Sequence, residues 1–232
     1  MKNILVLDAQ NINSLAVTRE LGKQGYTIGN LGNSNLSLSF FSRYSSRKHI
    51  VDRFLPSNLY VKKILKLAKD FNYELIIPLS LKSYNQLSKN RNLIDNSVKL
   101  ILPPKKSMDI ASSKPKTFEF AKKLKIPIPH TLRINKKNII EMVDFVKKVG
   151  FPIVIKGSIG GTNNLRYCNK VSDLYNAVKG LLKKEKTVIC QEYITGPTNG
   201  FYSYYKQGKM KAFFMHQRIK QYPLTGGPSS VA

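Results

Sequence analysis

Apolar positions in the first hundred residues alternate between strand-like runs and helical spacing. Residues 3–7 form a short continuous apolar run of strand type. Asn13 then offers a cap for a helix carrying Leu15 and Ala16, with Gly22 and Gly25 near its end. Residues 26–28 predict a second strand. The segment 34–53 is rich in Ser, Asn and Arg and predicts a loop holding a short strand or a helical turn. Leu59, Ile64, Leu67, Ala68 and Phe71 recur at helical spacing, and Leu75, Ile76 and Ile77 form a strand closed by Pro78. A helix over 84–93 and a strand over 100–102, ended by Pro103 and Pro104, complete the series. Strands alternating with helices in this way predict a parallel sheet covered by helices.

Past a break at 103–113 the pattern changes. A helix over 115–125 carries Phe118, Ala121 and Leu124 and stops at Ile126-Pro127-Ile128-Pro129. A second helix over 137–149 places Ile139, Ile140, Val143 and Val146 on one stripe, with Gly150 at its end. Residues 151–156 predict a strand, 157–164 a glycine-rich turn and 165–168 the return strand. Ser172 is placed to cap a helix with Leu174, Tyr175, Val178, Leu181 and Leu182, and a strand follows over 187–194. Residues 201–206 and 209–217 form a hairpin around Gln207-Gly208, with glycine where a positive φ is needed. Its Tyr202, Tyr204, Phe213 and Phe214 are expected to be core residues and cross-strand pairs.

Composition narrows the class. The 232 residues are 42% hydrophobic and 10% aromatic, too apolar for a disordered chain. No apolar run nears the roughly 20 residues that span a bilayer. The opening Met1-Lys2-Asn3 and its four apolar followers are too short for a signal peptide. Cys168 and Cys190 fit neither a disulfide framework nor a zinc pattern. A cytoplasmic protein with no membrane partner is expected.

Thirty-nine basic residues against thirteen acidic ones leave a formal charge of +26. Such a field attracts phosphates of every kind. The lysines are spread along the chain on the polar sides of predicted helices (Lys62, Lys63, Lys66 and Lys69, for example), as on a solvated surface. There is no zinc finger, RNP-type aromatic motif or heptad zipper, so charge alone does not name a partner.

The candidate chemistry lies at Phe151-Pro152-Ile153-Val154-Ile155-Lys156 and the glycines behind it. Strand alternation puts Phe151, Ile153 and Ile155 on one face and Val154 and Lys156 on the other. A lysine ending a buried strand beside Gly157-Ser158-Ile159-Gly160-Gly161-Thr162 suits a phosphate. Glycines let backbone N–H groups approach the anion, and the ammonium neutralises it. A Walker loop is absent, as are Gly-x-Ser-x-Gly and His-Glu-x-x-His. The turn from Asp8 to Asn13 has no glycine, so the dinucleotide fingerprint is missing. His49, His130 and His216 are scattered.

These features in order resemble the ATP-grasp superfamily, and within it the carboxylate–amine ligase and carbamoyl-phosphate-synthase-like branch. Lys114, Phe118, Ala121, Ile126-Pro127, Pro129 and Thr131 resemble the segment opened by the first nucleotide lysine, although Ser113 stands where the family usually has Asp. Phe-Pro-x-Val-x-Lys resembles the strand of the second lysine, Lys156. Gln191-Glu192-Tyr193-Ile194 with Gly196 resembles the hinge. His216-Gln217-Arg218 and Tyr222 to Ser229 resemble a segment beside the triphosphate.

The resemblance implies an α/β chain: a Rossmann-like pre-ATP-grasp domain over 1–112, then the front part of an ATP-grasp (α+β) domain over 113–232. It implies ATP as ligand, with Lys114 and Lys156 as phosphate ligands and Gly157, Ser158, Gly160, Gly161 and Thr162 as the flap. Gln191, Glu192, Tyr193 and Ile194 would meet the adenine, and Arg218 would act on the transferring group. The activity implied is ATP-dependent ligation of a small-molecule carboxylate to an amine through an acyl-phosphate.

Magnesium accompanies this chemistry in the family, held by carboxylates late in the domain, because hard cations take charged oxygen ligands. From Tyr193 to Ala232 there is neither Asp nor Glu, so no metal ligand is assigned. The expectation is of an incomplete domain, truncated or completed by a second chain, with at most weak nucleotide binding alone. A basic nucleic-acid-binding or non-catalytic remnant of the fold is the alternative.

Overall fold

The computed structural model describes residues 2–52, 54–95, 97–158, 165–222 and 229–232. The chain divides into two compact units, Met1–Thr117 and Phe118–Ala232. Gly160, Gly161 and Thr162 of the expected flap lie outside the described residues.

The first unit runs β1 (Asn3–Val6), α1 (Ile12–Lys23), β2 (Thr27–Gly32), a 3₁₀ turn (Leu38–Phe41), β3 (Ser45–Ile50), α2 (Ser57–Asp70), β4 (Leu75–Ile77), α3 (Leu81–Lys89), β5 (Lys99–Leu100) and α4 (Lys105–Ala111). Its sheet is wholly parallel in the order β3-β2-β1-β4-β5. β1 is buried on both faces. Leu5 and Leu7 pack with Val61 and Ile64 of α2 and Leu87 of α3, whereas Ile4 and Val6 pack with Val17 and Leu21 of α1. Two-sided burial explains the unbroken apolar run of β1, because both faces of a parallel sheet are covered by helices.

The predicted alternation is present, and the segment 34–53 holds both a helical turn, Leu38–Phe41, and a short strand, the polar β3. Two differences stand. The α1 cap is Asn11 rather than Asn13. α4 has too few apolar residues to show a helical stripe.

The second unit begins within α5 (Lys114–Lys123) and continues β6 (Thr131–Ile134), α6 (Glu141–Val149), β7 (Ile153–Gly157), β8 (Leu165–Cys168), α7 (Val171–Leu182), β9 (Val188–Glu192), β10 (Asn199–Lys206), β11 (Lys209–Gln217), β12 (Lys220–Gln221) and β13 (Ser229–Val231). β6, β9, β7 and β8 form an antiparallel sheet in that order. Its core face carries Ile134, Ile153, Ile155, Cys168, Val188 and Cys190 against Met142 and Phe145 of α6 and Leu174 and Val178 of α7.

β10 and β11 form the expected hairpin, and the turn residues Gln207 and Gly208 both have positive φ, 52° and 75°. Tyr202 lies opposite Phe214 across the ladder, and the rings of Phe201 and Phe213 stack at 6.3 Å. The expectation that these aromatics are core is overturned. Tyr202, Tyr204, Phe213 and Phe214 are each more than half exposed, on both faces of the ribbon. Alternation put aromatic residues on both faces, and among the described residues no further layer covers either. No described helix is long and apolar enough to cross a membrane.

Two outcomes test this packing. A Cβ on Gly29 would meet the hydroxyl of buried Tyr73, which bonds His49 Nε2 at 2.7 Å. Gly29→Ala should therefore destabilise the first unit by about 1–3 kcal/mol, read by urea unfolding. Burial raises the Cys168 thiol, with Asp173 adding to it, and pushes Cys190 up to about 12, with Cys168 adding. Neither thiol should react with a disulfide reagent until the chain is unfolded.

Candidate functional site

Because successive side chains on a strand point to opposite faces, the β7 residues turned away from α6 and α7 are Val154, itself buried, and Lys156. In the ladder Val154 lies opposite Gln191 and Lys156 opposite Ile189 of β9, while Thr131 of β6 lies opposite Gln191 from the other side. Lys156, Gln191 and Thr131 thus share the sheet face turned away from α6 and α7. Lys156 is half-buried, and Gln191 is only 3% exposed.

A hydrogen-bonded chain joins these three side chains. Lys156 Nζ donates to Gln191 Oε1 at 2.5 Å, and Gln191 Nε2 donates to Thr131 Oγ1 at 2.9 Å. Thr131 Oγ1 donates onward to the Pro129 carbonyl at 2.7 Å. The direction is set from the far end. Pro129 O can only accept, so the threonine hydroxyl must give its proton there and accept from the amide NH₂. That fixes the amide oxygen towards the ammonium. Lys156 is held in one place by a charge-assisted bond while its charge stays uncompensated by Gln191.

The hinge residues continue from this chain. Glu192 points to the opposite face: its N–H donates to the His130 carbonyl and its Oε2 accepts from the His130 N–H, both at 2.9 Å. The carboxylate extends the β6–β9 ladder by one rung. Tyr193 and Ile194 lie beyond the strand end and are 41% and 58% exposed. The Tyr193 ring meets Tyr167 of β8 edge-on at 5.7 Å, which closes the side of the face opposite β6.

The base of the flap is anchored at its first residues. Gly157 is buried at the end of β7. Ser158 N–H donates to Glu185 Oε2 at 2.6 Å, and its hydroxyl bonds Thr187, reaching Oγ1 at 2.8 Å and the backbone carbonyl. Ser158 is thereby turned towards the α7–β9 connection.

The other expected residues are described each in its own unit. Lys114 is the first residue of α5 and falls in the first unit. Arg218 follows β11; its Nη1 donates to Gln221 Oε1 at 3.0 Å and its N–H to the Thr198 carbonyl at 2.7 Å. Among the described residues no three His, Cys, Asp or Glu side chains come together as a metal site.

Sequence reasoning missed Glu185 and the bonding role of Thr131. Thr131 entered only as part of a motif, and its pairing with Gln191 depends on strand register. Glu185 sits in a lysine-rich turn that reads as solvated surface.

No family model matches the chain. Solved structures do. N5-carboxyaminoimidazole synthetase from Staphylococcus aureus, complexed with ADP, superposes with a TM-score of 0.71 at 14% identity, over 95% of this chain and 55% of that one. L-amino acid ligase from Bacillus licheniformis gives 0.67 at 15% identity, over 94% and 49%. Biotin carboxylase from Campylobacter jejuni, in a β-γ-ATP complex, gives 0.65 at 17% identity, over 85% and 46%. The chain has the ATP-grasp fold. It spans about half the length of the solved structures it matches.

The bonded chain makes its own prediction. Thr131→Val removes the acceptor that orients the Gln191 amide and so loosens Lys156. One net hydrogen bond is worth about 1 kcal/mol, or roughly fivefold. Competitive acylation read by mass spectrometry should show Lys156 labelled about fivefold faster in Thr131→Val, with Lys62 unchanged.

Proposed function

We propose that the chain binds ATP on the polar face of the second unit's sheet, as the nucleotide-binding part of a ligase that joins a carboxylate to an amine. The observation that carries this reading is the fixed ammonium of Lys156, one strand away from the exposed hinge at Tyr193 and Ile194. The ADP- and ATP-bound neighbours of the same fold support it.

In this reading Lys156 and Lys114 neutralise phosphate charge, and the N–H groups of Gly157, Gly160, Gly161 and Thr162 cradle the phosphates. The backbone of Gln191 and Ile194 meets the adenine edge, with Tyr193 beside the ring. Ser158 and Glu192 act through the backbone they hold, and Arg218 steadies the transferring phosphoryl group. A carboxylate oxygen of the acid attacks the γ-phosphorus and ADP leaves. The amine then attacks the acyl carbon, the C–O bond breaks, phosphate departs with its electron pair, and the nitrogen loses a proton. Phosphoryl transfer of this kind depends on positioning and electrostatics rather than on a protein nucleophile.

The test is calorimetric titration of ATP into the full chain. A charge-assisted bond to phosphate is worth about 1.5–3 kcal/mol, so Lys156→Met should weaken binding at least about tenfold while Lys62→Met leaves it unchanged. If the +26 charge acted only as a polyanion surface, both variants would lose affinity equally and binding would fall steeply with salt. That result would replace the nucleotide reading with the nucleic-acid one.

A further inference from the structure

The glycine-rich turn after β7 begins where the strand runs out of partners. Lys156 and Gly157 lie opposite Ile189 and Val188 of β9, and Gly157 is the last residue that the ladder pairs. Ser158 follows with a main-chain N–H that this ladder does not take up. A chain entering glycines is free to leave a strand in several directions, because glycine populates backbone regions closed to other residues. The direction is therefore set by whatever holds the residue between strand and turn.

Glu185 holds that residue. Its Oε2 accepts the Ser158 N–H at 2.6 Å, across 27 positions of sequence, and the Ser158 hydroxyl bonds Thr187 just beyond. Glu185 is itself fixed from behind. The N–H groups of Lys184 and Glu185 both donate to the Leu181 carbonyl at 2.9 Å, and Leu181 is buried in the core with Leu174 and Val178. Along this turn Lys183, Lys184 and Lys186 are exposed whereas Glu185 is half-buried, so the one acid among lysines is turned inward. A bond to a carboxylate is roughly twice as strong as one to a neutral acceptor. Lys136, Lys183, Lys184 and Lys186 line the same hollow of about 410 Å³ as Glu185. Their charges outnumber its own, so the carboxylate braces the chain without making the hollow repel phosphate.

We infer that Glu185 is a positioning residue for the nucleotide phosphates. It holds the Ser158 N–H so that the chain leaves β7 in one direction, and the turn behind it starts from a fixed point two residues past Lys156. The inference rests on the nucleotide reading above and adds to it a residue that acts without touching ATP, through the main chain of Ser158. A root fixed before the ligand arrives lowers the ordering cost that binding must meet. Tyr193 and Ile194 follow the carboxyl end of β9, whereas Thr187 and Glu185 precede its amino end. Binding at the adenosine end should therefore not depend on Glu185.

The test compares Glu185→Ala and Glu185→Gln with the wild-type full chain. Amide hydrogen exchange without nucleotide, resolved at Ser158 by fragment mass spectrometry, should run about tenfold faster in Glu185→Ala. It should run about threefold faster in Glu185→Gln, whose amide oxygen still accepts but carries no charge. Calorimetry should show ATP binding weakened about tenfold in Glu185→Ala, less in Glu185→Gln, and unchanged in Lys186→Met. Adenosine binding, followed by saturation-transfer NMR, should be the same in all four proteins. Glu185→Gln keeps the size of the side chain and carries the test should Glu185→Ala fail to fold. Unchanged exchange at Ser158 or unchanged ATP affinity would overturn the proposal. Equal losses for ATP and adenosine would overturn it too, leaving Glu185 as a brace of the fold alone. Any of these leaves wild-type ATP binding and the effect of Lys156→Met intact; if the wild type binds no ATP, the nucleotide reading falls and this proposal with it.

Discussion

A lysine that ends a buried strand must satisfy its ammonium without giving up its charge, and the second unit is arranged around that requirement. A carboxylate opposite Lys156 would neutralise it. A neutral amide holds it in place and leaves its field intact. The amide works only if it cannot turn over, which requires Thr131, and Thr131 requires the Pro129 carbonyl behind it. Three strands must therefore keep their register for one cation to be usable.

The same strand explains why core and site are inseparable here. Ile153 and Ile155 anchor β7 against α6 and α7, and the pleat then presents Val154 and Lys156 to the other face. A one-residue slip would bury the ammonium among Phe145, Leu174 and Val178. Such a slip is excluded by the cost of an unpaired charge in an apolar core, so hydrophobic packing on one side aims the chemistry on the other.

How far the residues spoke for themselves follows from the range of each interaction. β1, α2, β4 and the β10–β11 hairpin were legible because their periodicity and turn residues are local. The division of β7 into two faces was equally legible. β3 was legible only as a short strand or a helical turn somewhere in 34–53, since Ser45 to Ile50 is polar and becomes a strand through pairing with β2. Lys156 and Gln191 stood out by motif, but the bond between them joins strands 35 positions apart and the part played by Thr131 comes from a strand 60 positions away. Asp8 was seen only as the lack of glycine; its bonds to Ser80 and Ser83 cross more than seventy positions.

The hairpin of β10 and β11 bears on how the molecule behaves in bulk. Exposed aromatic faces of this kind would attract one another between molecules, and the shared positive charge opposes that contact. That repulsion has a reach of about 10 Å at 0.1 M ionic strength and about 3 Å at 1 M. Concentrated electrolyte, the usual remedy for a sticky basic protein, would strip away the repulsion and strengthen apolar contact, turning a clear solution cloudy.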